Sequence, residues 1–258
     1  MRKIMACAAG ILAAALIASP AAHADDEGEP IRILQLTGGG WHDYENQQTI
    51  LSEGIGERVN AEFETFFHDG DVEEAEIAFF EDPEWIEGFD LVLYNTCWAA
   101  NVEGGDGWVV ENIIDRHLEH ETPAVFIHCA LHTYRHHGDA EHWHRFIGVS
   151  SFGHQAHEPF TVEALEPDHP IIAGLPLPWD TPQGELYQIV DIFENTTPLT
   201  HSLGLGGDDD YHVNVWVNDY EGLRVFGTSI GHHNETMEHP VYLDMVSQGV
   251  LWAAGELE

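Results

Sequence analysis

Lysine is all but missing from this chain. Its 258 residues contain 8 lysines and arginines against 46 aspartates and glutamates, a formal net charge of −38 at pH 7. The one lysine is Lys3. A surface of this sign repels nucleic-acid phosphates and anionic lipid headgroups, so neither is expected as a partner. Cysteine is almost as scarce, with three in the chain, of which Cys7 lies close to the N-terminus. So few thiols exclude a disulfide-framed fold. Cys97 and Cys129 both fall at the ends of predicted strands. The sequence favours two free, partly buried thiols there, and allows one bond in an oxidising compartment. Past the first 24 residues no apolar run is long enough to cross a membrane. Also absent are internal repeats, a linker that would divide the chain, an HExxH motif, and an acidic ligand at EF-hand spacing after Asp208-Asp209-Asp210.

What is present begins with a leader. Met1 to Ala24 has a basic start (Arg2, Lys3), an apolar stretch from Ala8 to Ala18, and a small-x-small site at Ala22-His23-Ala24. That is the pattern of a signal peptide over residues 1–24, which predicts a periplasmic or secreted protein whose mature part is residues 25–258. Removing the leader takes two basic residues with it, so the mature charge would be 6 − 46 = −40. Such a charge suits a saline medium, where salt screens self-repulsion. The acids are interleaved with aliphatic and aromatic residues, which argues for a folded chain.

Ile31 to Thr37 reads as a strand closed by Gly38-Gly39-Gly40, and Leu51, Ile55 and Val59 then recur at helical spacing. Ala61 to Phe67, Phe89 to Asn95 and Ala124 to His128 read as further strands. A short helical pattern lies within Asp69 to Pro83, and a helix marked by Val110, Ile113, Ile114, His117 and Leu118 precedes the last of these strands. This alternation is the signature of a doubly wound, mainly parallel sheet in a three-layer α/β/α sandwich. Four more strands are expected over 160–165, 186–193, 213–217 and 224–229. A short helix is expected over 140–147 and a terminal one over 241–254.

Several predicted strands change abruptly from apolar to reactive residues. In open α/β sheets, ligands bind just beyond the carboxyl ends of the strands. Gly38 to Tyr44, Asn95 to Trp98, His128 to Arg135 and His232 to Glu235 are therefore expected to meet in one pocket. His42, Asp43, His128 and His232 are the catalytic candidates, as proton carriers or ligands. His128 and His132, four apart, would share a face if a helix starts at once after the strand. With His154 and His157 they form the candidate metal set, and zinc suits ligands that are mostly imidazole. Trp41 and Trp98, beside strand tips, are candidate aromatic rims. Tyr44, Asn95, His132, Glu185, Tyr187 and His233 complete the candidate substrate-binding set. Arg135 and Arg145 are scarce cations nearby, placed to meet an anionic substrate or to bridge to this acidic protein.

The chain resembles the trehalose-utilisation (ThuA-like) family over Ile31 to Gly255. The resemblance rests on Gly38-Gly39-Gly40-Trp41-His42-Asp43-Tyr44, His128, His169-Pro170-Ile171-Ile172-Ala173-Gly174-Leu175, and Gly184-Glu185-Leu186-Tyr187. It continues through Val215-Trp216, Arg224 to His232 and Gly249 to Gly255. It implies a class I glutamine amidotransferase-like, flavodoxin-like fold. It also implies a role in carbohydrate catabolism, with a sugar or 3-keto-glycoside as the small-molecule partner. Acid/base hydrolysis or isomerisation is the expected reaction. A non-catalytic sugar-binding domain, an assembly module of a larger exported complex, and association with copies of itself stay open. So does a Cys-His-Glu hydrolase, since Cys129 follows a strand and His233-Asn234-Glu235 follows another. Ile127 and Leu131 stand against that last reading, because the strained nucleophile turn of the amidotransferases has glycine at those places.

Overall fold

Ile33, Leu34 and Leu36 are all buried, although alternate residues of a strand point to opposite faces. A strand buried on both faces needs a layer on each side. The computed structural model describes residues 28–258 except 71, 75, 76 and 106, so the expected leader lies outside the described residues. In chain order the first half comprises β1 (Ile31–Gly39), α1 (Tyr44–Gly56), β2 (Ala61–His68), β3 (Leu91–Cys97), α2 (Trp108–His120), β4 (Ala124–Ile127) and α3 (Ala140–Ile147). The second half comprises β5 (Val149–His154), β6 (Thr161–Ala164), β7 (Trp179–Asp180), β8 (Tyr187–Ile192), β9 (Thr196–Leu203), β10 (Tyr211–Tyr220), β11 (Leu223–Thr228), α4 (Asn234–Met237) and α5 (Pro240–Ala253).

The main sheet has the order β2-β1-β3-β4-β11-β10-β9-β6-β7, and β5 pairs with β8 in a separate ribbon. Its first five strands are parallel and the rest antiparallel. The order 2-1-3-4 followed by a fifth parallel strand is the flavodoxin-like winding. Leu34, Val92, Tyr94, Phe126 and Val225 pack on one face with Val109, Ile113, Trp143 and Phe146 of α2 and α3. Ile33, Leu93, Val125 and Phe226 pack on the other face with Leu51 and Ile55 of α1 and with Tyr242, Val246 and Val250 of α5. The result is the expected three-layer α/β/α sandwich.

The helical pattern expected within 69–83 is a 3-10 turn, Ala78–Glu81. Strands β5 and β9, and the two-residue β7, were not legible. Val149–His154 reads VSSFGH and Thr196–Leu203 reads TTPLTHSL, polar segments whose pairing comes from their neighbours rather than from an apolar alternation. Among the described residues no helix is long and apolar enough to cross a membrane.

Candidate functional site

Parallel strands present their carboxyl ends at one edge. The tips of β1, β4 and β11 converge there on one carboxylate, Glu185, which is 4% exposed. His128 Nε2 lies 2.9 Å and His232 Nδ1 3.1 Å from Glu185 Oε2. His154 Nε2 and His157 Nε2 lie 3.1 and 2.9 Å from Oε1. The His42 ring stands 4.9 Å from that of His128 and 4.7 Å from that of His232. The carboxylate thus has a buried side, facing His42, His128 and His232, and a more open side, facing His154 and His157.

Backbone strain aims these side chains. Trp41, His128 and His232 have φ of 76°, 48° and 71°, each just beyond a strand end. Non-glycine residues seldom adopt that left-handed region, and where they do so at strand tips the strain marks a functional constraint. Two glycines make the approach feasible. Gly39, at φ 107°, runs so close to the Cys97 backbone that a Cβ would come within 2.8 Å of it. A Cβ on Gly231 would stand 2.6 Å from Cβ of His128.

Main-chain carbonyls fix the tautomers. His128 Nδ1 is 2.8 Å from the Ser229 carbonyl and His42 Nδ1 is 3.2 Å from that of Gly40. A carbonyl only accepts, so each Nδ1 carries the proton and donates it, with the Tyr44 hydroxyl sharing the His42 donor at 3.1 Å. Both Nε2 atoms face the centre: that of His128 is hydrogen-bonded to Glu185 Oε2, and that of His42 is buried without a partner. Burial, reinforced by the neighbouring His128 and His232, holds His42 well below the ordinary imidazole range. Burial would raise the Glu185 carboxyl, but the His128 and His232 imidazoles outweigh it and pull the carboxyl far down. Burial pushes the Tyr44 and Tyr187 hydroxyls well up, so both stay neutral donors. Tyr187 OH lies 3.4 Å from His128 Nε2.

A cavity of about 450 Å³ opens over the cluster, lined among others by Trp41, His132, Arg135, His157 and Tyr187. Trp41 is 55% exposed and forms a rim, whereas Trp98 is fully buried core and forms none. Arg135 lines the wall, with Nε donating to the Ala100 carbonyl and Nη1 to that of Phe152. Arg145 is elsewhere, paired with Glu141 on α3.

Other expectations need correction. Asp43 is exposed and outside the cluster. Its carboxylate accepts from Asn46 and Asn234, both at 2.7 Å, and so ties α1 to α4. Asn95 does not face the cavity: it donates to Gln47, which donates to the His232 carbonyl at 2.9 Å and so braces that tip from below. His132 lines the cavity without joining the cluster. It stacks on Tyr187 at 4.2 Å, and its Nε2 meets Ser151 Oγ at 3.1 Å. Residues 128–131 form a 3-10 turn. With about three residues per turn, positions four apart no longer share a face, which separates His132 from the candidate metal set. His233 lies behind His232, ring centres 4.5 Å apart, and burial lowers its pKa. Cys129 is disulfide-bonded to Cys97 across tips β3 and β4, so the expectation of free thiols fails and no thiolate is available for a Cys-His-Glu triad. Gln47, Gly231 and the Ser229 carbonyl escaped sequence reasoning, because each acts through a contact over long sequence separation. Glu185 was legible as a site residue but not as the centre.

A flavodoxin-like α/β sandwich with a histidine–carboxylate centre at its strand tips is the class of protein that this geometry defines. The chain belongs to the trehalose-utilisation (ThuA) family, whose profile matches residues 32–253. A ThuA-like protein from Parabacteroides merdae shares the fold at a TM-score of 0.69 and 17% identity, over 89% of this chain and 92% of that one. A ThuA-like protein from Bacteroides uniformis does so at 0.66 and 14%, over 92% and 95%. The carbohydrate deacetylase Agd3 contains a similar fold within a longer chain, at 0.51 and 9% identity, over 84% of this chain and 33% of that one. No curated protein matches in sequence.

Proposed function

We propose that this protein is an exported enzyme of carbohydrate catabolism that hydrolyses or isomerises a sugar or 3-keto-glycoside. The observation that carries the reading is Glu185, a 4%-exposed carboxylate met by four imidazole nitrogens at the base of the cavity. So many titratable groups around one buried charge suit proton transfer rather than structural support. The cavity volume suits a small sugar. The Trp41 face can pack against the apolar side of a pyranose, and Arg135 can hold an oxyanion or carbonyl oxygen.

Within the cluster the roles divide by burial. His42, His128 and His232 set the charge and direction of Glu185 from below. His154 and His157 touch Glu185 and the cavity at once, so they are placed to pass a proton between substrate and solvent. Membership of the trehalose-utilisation family supports the carbohydrate class. Export rests on the leader pattern of residues 1–24.

The test is turnover on a panel of glycosides and their 3-keto forms. Glu185→Gln and His157→Gln should each lower kcat by about 10²- to 10⁴-fold, the range of a lost general acid or base. Sugar binding with no turnover by the parent protein would instead leave a non-catalytic binding domain.

A further inference from the structure

We infer that the buried side of the cluster is a divalent transition-metal site, with His42 Nε2, His128 Nε2, His232 Nδ1 and Glu185 Oε2 as the ligands and zinc as the best-suited ion. The inference rests on the same centre as the function proposed above and goes beyond it by assigning a cofactor.

The geometry of the donors leads to it. The Nδ1 protons of His42 and His128 are committed to the Gly40 and Ser229 carbonyls. The Nε2 of each ring therefore faces the centre, that of His128 at 2.9 Å from Glu185 Oε2. His232 Nδ1 sits 3.1 Å from the same oxygen but off the line of a hydrogen bond, and is among the buried nitrogens without a partner. His42 Nε2 is a second such nitrogen. Three imidazole nitrogens thus surround one buried carboxylate, two of them with no hydrogen-bond partner. The hydrogen bond between His128 and Glu185 leaves His42 Nε2 and His232 Nδ1 unmatched. One divalent ion satisfies all four donors.

The second layer matches a metal centre as well. Ligand histidines characteristically donate their other ring N–H to a carbonyl or carboxylate, which fixes the tautomer and raises ligand basicity. Gly40 and Ser229 do this here, and Gln47 braces the backbone of His232. One donor atom from each of His42, His128, Glu185 and His232 lies within 4.8 Å of the other three. Zinc ligands about 2.1 Å from a common ion stand roughly 3.4 Å apart, so modest side-chain shifts complete the site. Three imidazoles and one carboxylate suit zinc, cobalt or nickel better than magnesium or calcium, which prefer all-oxygen shells. When bound, such an ion would polarise a sugar carbonyl or hydroxyl presented from the cavity.

The experiment is metal analysis of the whole purified protein, stripped by chelator and reconstituted with zinc, cobalt(II) or manganese(II) in excess magnesium, which suppresses loose binding to the acidic surface. About one zinc per chain is expected, with a visible cobalt(II) absorption typical of nitrogen-rich, low-coordinate sites. His42→Ala, His128→Ala and Glu185→Gln should each lower zinc content at least tenfold, and exposed His120→Gln should not. If a variant fails to fold, the parent protein still decides, since added zinc should raise its thermal midpoint and chelator should lower it. Folded protein that takes up no zinc, or zinc content unaltered in folded ligand variants, overturns the inference. Sugar turnover that persists in metal-free protein overturns it too and leaves the acid/base reading standing. Stoichiometric zinc without turnover of any sugar sustains it and removes the proposed activity instead.

Discussion

His117 is buried on α2, away from the site. Its Nδ1 donates to the Thr122 carbonyl at 2.6 Å, and its Nε2 accepts from Tyr94 OH at 2.7 Å. Both ring nitrogens are satisfied in the neutral form. Burial lowers its pKa to about 4, against the backbone hydrogen bond to Thr122 that tends to raise it. In the unfolded chain it titrates near the ordinary histidine value of 6.5. Between these values the unfolded chain binds a proton that the folded one refuses. Its contribution to stability is therefore fully present above pH 6.5 and lost as pH falls toward 4, a cost of about 3 kcal/mol over the interval. Chemical denaturation across that range should show the loss, and His117→Gln should flatten the slope. An unchanged slope in the variant would refute the assignment. The residue scale is also where sequence reasoning was least secure. Trp41 and Trp98 have the same local signature, an aromatic after a strand tip, yet one is a rim and the other fully buried core. The difference lies in what surrounds each, with Trp98 Nε1 donating to the His68 carbonyl beneath packed aromatics.

At the scale of elements, the site is a product of strand ends. β1, β4 and β11 each finish in a tight turn with a residue at positive φ, and the side chains those turns project meet at Glu185 from the segment before β8. Gly231 is the tolerance in this arrangement. Gly231→Ala would place a Cβ 2.6 Å from Cβ and 2.8 Å from Cγ of His128, atoms too close to the backbone to swing away. The tip of β11 would have to retreat and carry His232 with it. We expect a loss of about 1–3 kcal/mol in stability, as for other overpacked positions. Turnover should fall more steeply than that destabilisation explains. A variant with parent-like zinc content and turnover would show that the tips have slack. The Cys97–Cys129 bond joins the β3 tip to the turn after β4, and both sulfurs lie close to His42. The strands and most helices were legible because their apolar periods match the sheet and helix repeats. The polar β5 and β9 were not, because neither shows an apolar alternation; β9 pairs with the next strand, β10, and β5 with the more distant β8.

Across the whole molecule, charge dominates the response to the medium. A net charge of −38 spread over one sandwich stores repulsion that salt screens. The thermal midpoint should therefore climb as salt is added from low ionic strength, then level off as the Debye length falls below the spacing of surface charges. A midpoint that is flat from low to multimolar salt would count against a saline habitat. The sequence by itself determined this charge, the α/β alternation, the family, and the edge of the sheet where chemistry collects. Those features follow from composition and from short-range periodicity, which need no knowledge of distant contacts. Only the tertiary structure decided that Glu185 is the hub, that Asp43 and His132 stand apart from it, that Cys129 is bonded, and that Gln47 supports His232. Each of these depends on residues tens to nearly two hundred positions apart being brought within a few ångströms. Local sequence carries no record of such distances; the packing of strands and helices sets them.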